Sequence, residues 1–102
     1  HDAVVGEDPA NDLLLKAPSL AATQTSVEIR YWLPGAADVV LTIYDVTGVR
    51  ARELNMGSQK AGEHLVIWDI RNDSGEPVSQ GVYLVRLATM NQVRSLPLIV
   101  LR

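Results

Sequence analysis

The chain has no cysteine and no phenylalanine, and only two tryptophans and three tyrosines among its 102 residues. Without cysteine, disulfides, thiolate catalysis and cysteine-ligated metal are excluded together. The compartment stays open, because many exported bacterial proteins also lack Cys. Without Phe, a core must be built mostly from Val, Leu and Ile. No apolar run approaches the roughly 18 to 20 residues that span a bilayer, so the chain reads as not membrane-spanning. Positive charge is not in excess either: 9 Lys and Arg against 12 Asp and Glu give a net charge of −3. Such a surface offers no basic field to nucleic acid, which is excluded as a partner. A signal peptide is also lacking, and the chain begins with His1 rather than Met. It therefore reads as a processed product or a fragment, with upstream sequence that holds part of the function.

What is present is an ordinary globular composition, 47% hydrophobic and 21% charged, which argues against disorder. The length suits one domain with one core. Residues 1–12 are acidic and contain Gly6 and Pro9, so they read as a flexible tail or linker ahead of a domain over 13–102. Leu13-Leu14-Leu15-Lys16 suggests a short first strand, and Pro18 to Thr25 a small-residue connection. Ser26 to Leu33 alternates, with Val27, Ile29, Tyr31 and Leu33 on one face and Trp32 on the other, until Pro34-Gly35 stops it.

Asp38 to Val46 reads as the next strand. Thr47-Gly48 supplies the reversal, and Val49 to Leu54 returns with Val49, Ala51 and Leu54 inward. Asn55 to Gly62 reads as a polar loop. His64 to Ile70 is apolar on both faces, which suggests a central strand. After the turn Asn72-Asp73-Ser74-Gly75 come strands at Val82 to Leu87 and Val93 to Leu101. Pro97 makes the last of these an edge strand or a bulged one. The pattern predicts an all-β, antiparallel β-sandwich of about seven strands.

The ordered set Ile29-Arg30-Tyr31-Trp32-Leu33-Pro34, Val40 to Gly48, Ala61-Gly62-Glu63-His64, Trp68-Asp69, Asp73-Ser74-Gly75 and Gly81-Val82-Tyr83 resembles the immunoglobulin-like domain of the flagellar hook-capping protein family. That group shades into the C-terminal sorting domains of type IX secretion cargo. The resemblance covers about residues 25 to 102. It implies an immunoglobulin-like sandwich at the C-terminus of a larger exported bacterial protein, serving secretion, surface attachment or scaffolding without catalytic residues. One departure is the entry segment Pro18-Ser19-Leu20-Ala21-Ala22-Thr23, where the family usually carries an Asn-Pro motif.

Candidate chemistry is sparse. Asp69, Asn72, Asp73 and Glu76 form the best oxygen-rich cluster, but Arg71 sits where a calcium loop would need a ligand. Asp69, Asn72, Asp73 and Gly75 are read as a structural turn, since Asx side chains satisfy turn backbones without an ion. His64 beside Glu63 has no nucleophile in a recognisable motif and is read as structural. Trp68 and Tyr83 are read as core aromatics, and Asp45 as a turn carboxylate. Trp32, pointing away from the apolar face, is the candidate interface residue, covered either by the tail or by a partner. Val4, Val5, Leu13 and Leu15 are further candidates, as short apolar runs able to add to an open sheet edge.

The expected protein is non-enzymatic, without a cofactor or metal, and extracellular or at the cell surface. Its expected partner is a protein, whether secretion machinery, a surface component or copies of itself. Three roles fit: a sorting or surface-attachment module, a self-assembling subunit of an extracellular filament or cap, or an accessory domain of a secreted hydrolase that binds carbohydrate through Trp32.

Overall fold

The computed structural model describes residues 12–102, and every described element is a strand. In chain order these are β1 (Leu14–Lys16), β2 (Leu20–Ala22), β3 (Val27–Leu33), β4 (Ala37–Asp45), β5 (Arg50–Gln59), β6 (Gly62–Trp68), β7 (Gly81–Ala88) and β8 (Val93–Leu101). They form a three-stranded sheet in the order β1-β3-β6 and a five-stranded sheet in the order β2-β8-β7-β4-β5. The result is an all-β, immunoglobulin-like sandwich.

The pleat decides which side chains lie between the sheets, because successive residues of a strand point to opposite faces. In β3, Val27, Ile29, Tyr31 and Leu33 are buried while Glu28, Arg30 and Trp32 are exposed. Facing them from the five-stranded sheet are Val39, Leu41 and Ile43 of β4, Tyr83, Val85 and Leu87 of β7, and Leu98 and Val100 of β8. The core is aliphatic, as the lack of Phe requires, with Trp68 as its largest fully buried side chain. The indole meets the Tyr83 ring edge-on at 6.1 Å and donates from Nε1 to the Arg71 carbonyl at 3.0 Å. The Tyr83 hydroxyl donates back to the Ser79 carbonyl at 2.6 Å, the corner contact typical of immunoglobulin-like sandwiches. Burial raises the Tyr83 hydroxyl pKa, and the Asp45 charge adds to the rise.

Several expectations are corrected. Eight strands are present, and β2 lies within the segment Pro18 to Thr25, read as a connection. It pairs parallel with β8, so the sandwich is not purely antiparallel. Ala21 is buried there, and three residues are too few for alternation to reveal a strand. The supposed polar loop Asn55 to Gly62 is largely strand, since β5 runs to Gln59. Its register against β4 shifts between Val39 and Val40 and between Ile43 and Tyr44, and these irregularities break the alternation. Val49 lies in the turn ahead of β5 and is exposed rather than inward, while Ala51 and Leu54 pack against the core. β6 is an edge strand, not a central one: Leu65 and Ile67 point outward and are exposed.

Pro97 behaves as its chemistry demands. It pairs with Leu84 of β7, and β2 reaches β8 only from Ile99 onward. The Ile99 amide donates to the Ser19 carbonyl, so the nitrogen two residues earlier points to the same side, where no described strand lies.

The β4–β5 hairpin is held by one carboxylate. Asp45 Oδ1 accepts the Thr47 hydroxyl at 2.6 Å, the Thr47 amide at 2.9 Å and the Val49 amide at 3.0 Å. Gly48, at φ 88°, supplies the left-handed residue of the turn. The Thr47 hydroxyl bond, followed by the Val49 amide, holds the Asp45 carboxyl below its ordinary pKa.

A folded-state pKa below the unfolded value contributes stability above the unfolded value, and that contribution is lost as pH falls through the folded one. Asp45→Ala should therefore lower the melting temperature at neutral pH, and the difference from the native chain should shrink below about pH 4. Thermal melts across pH 2 to 7 on both proteins, roughly spanning the carboxylate range, provide the check.

Truncating Trp68 should be far worse than truncating Trp32. Trp68→Ala empties the core and orphans the Arg71 carbonyl, at a cost of about 3 to 5 kcal/mol. Trp32→Ala should cost about 1 kcal/mol and leave a cooperative melt. Urea unfolding of both variants gives the comparison, and equal losses would place Trp32 in the core.

Candidate interaction surface

Trp32 stands on the outer face of the three-stranded sheet with 38% of its surface exposed. Register sets its neighbours: Leu14 of β1 on one side and Glu63 of β6 on the other. The next row holds Lys16, Arg30 and Leu65, and the third Glu28 and Ile67. Leu14, Trp32, Leu65 and Ile67 thus share a face with two cations and two carboxylates. Arg30 reaches Glu28 at 3.4 Å, and both remain exposed. Leu14, Lys16, Arg30, Tyr31, Trp32 and Glu63 line a shallow depression of about 240 Å³.

The other proposed interface residues do not join Trp32. Leu13 is only 1% exposed and belongs to the core, so its assignment to an interface is corrected. Leu15 pairs with Tyr31, on the inward side of β1, and packs against the core. Val4 and Val5, like nearly all of the tail, lie outside the described residues. The Leu13 amide donates to the Gln92 side chain at 2.8 Å, fixing the chain where the domain begins. The residue that sequence reasoning missed is Leu14, hidden in a run of three leucines that shows no alternation.

A second apolar surface was also missed. On the outer face of the five-stranded sheet, Leu20, Ile99 and Val82 lie in one row across β2, β8 and β7. Pro97, Leu84 and Tyr44 form the next row, across β8, β7 and β4. Leu20, Val82, Leu84 and Ile99 are all exposed. The alternation of Val82 and Leu84 against Tyr83 and Val85 was the available signal. The next row, with Ser95, Arg86 and Thr42, is polar and bounds the patch.

The oxygen-rich turn is occupied by its own backbone. Asn72 Oδ1 accepts the Ser74 and Glu76 amides at 2.9 and 3.0 Å. Asp69 Oδ1 accepts the Arg71 amide and the Arg52 guanidinium, both at 3.2 Å. Asp73 Oδ1 accepts the Glu53 amide at 3.0 Å, and its other oxygen lies 3.1 Å from Arg50. Gly75, at φ 83°, donates to the Asn72 carbonyl. The Asp and Asn oxygens therefore serve three different backbone segments instead of converging on one point. Ile70, just upstream, holds a left-handed φ of 59°, unusual for a β-branched residue. Its carbonyl accepts the Val78 amide and Arg102, and its side chain is buried in the core.

His64 stacks on Tyr31 with ring centroids 5.1 Å apart, and its Nε2 lies 2.6 Å from the Lys60 carbonyl. Burial pushes the Tyr31 hydroxyl pKa up. These contacts tie the imidazole to β3 and to the connection just ahead of its own strand, as a packing group. Among the described residues, no group of three or more His, Asp or Glu side chains could hold a metal. None of them forms a helix long and apolar enough to cross a membrane.

A sandwich whose side-chain chemistry lies in exposed sheet faces belongs to the class of immunoglobulin-like modules. The chain is more specific than that: over residues 17–92 it matches the FlgD Ig-like domain, and it belongs to that family. Among solved structures, FlgD from P. aeruginosa is similar with a TM-score of 0.63 and 23% identity, over 87% of this chain and 70% of that one. FlgD from Xanthomonas campestris gives 0.61 and 20%, over 96% and 74%. PorZ from Porphyromonas gingivalis gives 0.57 and 22%, over 88% of this chain but only 11% of that much longer one. At these identities the likeness shows the fold. No curated protein matches the chain.

If the Asp69–Glu76 turn is satisfied by its own side chains, melting temperature should be the same in calcium and in chelator. Asn72→Ala should cost about 1 kcal/mol, since two turn amides lose their acceptor to water. A calcium-dependent rise in melting temperature, read by differential scanning calorimetry, would show that an ion is held there.

Proposed function

We propose that this chain is a non-catalytic contact module of an exported bacterial protein, acting in secretion sorting or cell-surface attachment through protein–protein contacts. The observation that carries the reading is the outer face of the three-stranded sheet, where Trp32, Leu14, Leu65 and Ile67 stand exposed between charges of both signs. A large aromatic set among aliphatic and charged neighbours is the composition of a protein contact centre. Membership of the FlgD Ig-like family supports the same reading, as does the likeness to PorZ, described as a surface component of the type IX secretion system. The sorting role makes the domain a handle carried by a larger cargo.

A second reading is a self-assembling subunit of an extracellular filament or cap. It is favoured by the FlgD relatives, which the chain covers over most of their own length and one of which is described in terms of hook capping. The apolar rows Leu20-Ile99-Val82 and Pro97-Leu84-Tyr44 give that reading a surface for packing copies together.

Fusing the chain to the C-terminus of a soluble reporter, in a bacterium with type IX machinery, separates the two. Under the sorting reading the reporter reaches the cell surface, and Trp32→Ala reduces delivery about tenfold or more while the domain still folds. Retention of a folded fusion in the periplasm rejects sorting. Concentration-dependent assembly of the purified chain, abolished by Val82→Lys, would support the cap reading instead.

A further inference from the structure

The two long edge strands of the sandwich are treated very differently. β5 closes one side of the five-stranded sheet, and its outward backbone is already engaged. The Asp73 amide donates to the Ala51 carbonyl, the Glu53 amide to Asp73 Oδ1 and the Gly57 amide to Asn55 Oδ1. Two register shifts and the ion pair between Arg50 and Glu53 disturb it further. Bulges and charges of this kind are how proteins keep a sheet edge from pairing.

β6 has no bulge and no backbone group engaged on its outer side among the described residues, and its one outward carboxylate is Glu63. It runs seven residues in unbroken register with β3, without proline, lysine or bulge. Among the described residues no strand pairs with its other side, and no loop or side chain bonds the backbone there. Its outward stripe reads Glu63, Leu65, Ile67; Leu65 is 46% and Ile67 57% exposed. Glu63 has no ion-pair partner among the described residues. Seven residues suffice for a full added strand.

We infer that the free edge of β6 is a strand-addition site, taking an extended segment of a partner protein that offers a basic residue to Glu63 and apolar residues, at alternate positions, to Leu65 and Ile67. The main chain would continue the β1-β3-β6 ladder, and the alternate side chains would extend the Trp32 face by one strand. Charge decides against a second copy of this chain as the occupant. An antiparallel copy centred on Leu65 sets Glu63 against the copy's Ile67. Centring on Val66 matches Leu65 with Ile67 but sets Glu63 near Asp69, the acid just past the end of β6, and a parallel copy in register sets Glu63 on Glu63. Each arrangement pairs two acids or strands a carboxylate beside an isoleucine, and like charges opposite one another destabilise a ladder. A foreign strand with a basic end avoids all three. The inference rests on the reading of the chain as a contact module and names the edge and the partner chemistry.

The probe is the peptide Lys-Thr-Val-Thr-Ile-Thr-Lys, which offers a lysine to Glu63 in either direction. It is titrated into the labelled chain and followed by amide chemical shifts and hydrogen exchange. The expected result is slowed exchange of β6 amides, with weaker binding by about tenfold or more for Leu65→Lys and Ile67→Lys. A peptide with glutamates in place of the lysines should bind worse, and Glu63→Lys should reverse that preference. A peptide methylated at alternate backbone nitrogens should not bind, because it cannot complete the ladder. Equal binding of the methylated peptide, shifts confined to the Trp32 face without β6 protection, or no binding would each overturn the strand-addition site. So would a peptide-free dimer with protected β6 amides, which would assign the edge to a second copy. None of these results touches the reporter assay, so loss of the edge and loss of the sorting role are read separately.

Discussion

The structure depends on the burial of Trp68 at the end of β6. In a core without Phe it is the largest buried side chain, and it sits where the three-stranded sheet ends and the chain leaves for the other layer. Its ring fills the gap beside Tyr83, and its nitrogen fixes the Arg71 carbonyl. With those two contacts set, the backbone must turn immediately, and Ile70 takes its left-handed conformation to keep its own side chain inside. Strain of that kind persists only where its surroundings over-determine it. Here Val78 and Arg102 bind the Ile70 carbonyl, and the Asp69–Glu76 turn is tied by hydrogen bonds on both flanks. Oxygen-rich residues that look like a ligand set in the sequence are thus explained by the packing of one indole.

The same packing separates what the sequence displays from what it conceals. β3, β7 and β8 were legible because each is long and alternates, so the pleat writes their buried and exposed faces into the residue order. Trp32 was placed on the outer face by the same logic. The failures share a cause. β2 is only three residues, shorter than a readable period, and the irregular pairing of β5 makes a strand resemble a loop. Leu13, Leu14 and Leu15 are identical in type, yet Leu13 enters the core, Leu14 faces outward and Leu15 turns inward. Pairing with β3 sets Leu14 outward and Leu15 inward, and pairing is not written in composition.

β6 was misread for a more instructive reason. Apolar residues on both faces usually mean burial on both faces. Here the inward set, Val66 and Trp68, serves the core, while Leu65 and Ile67 face solvent. A sequence cannot tell a strand covered by its own protein from one that awaits cover, because both satisfy the same pattern. The signal appears only when the sheet order shows that nothing described lies beyond β6.

That distinction joins the fold to its use. In this immunoglobulin-like sandwich the Asx carboxylates and amides are spent on turns, and Trp68 and Tyr83 on packing. The sandwich has sheet faces and sheet edges. In this chain the guarded edge of β5 and the open edge of β6 lie in different sheets, so one side is sealed while the other stays able to extend. The exposed apolar rows of the five-stranded sheet, Leu20-Ile99-Val82 and Pro97-Leu84-Tyr44, lie toward β2 and away from the guarded β5 edge. On β6 the exposed apolar side chains stand beside backbone that no described residue pairs, where an incoming strand can satisfy side chains and main chain together. Because the ladder is indifferent to sequence, selectivity must come from the alternate side chains. Of these, Glu63 carries the charge that tells a basic segment from an acidic one.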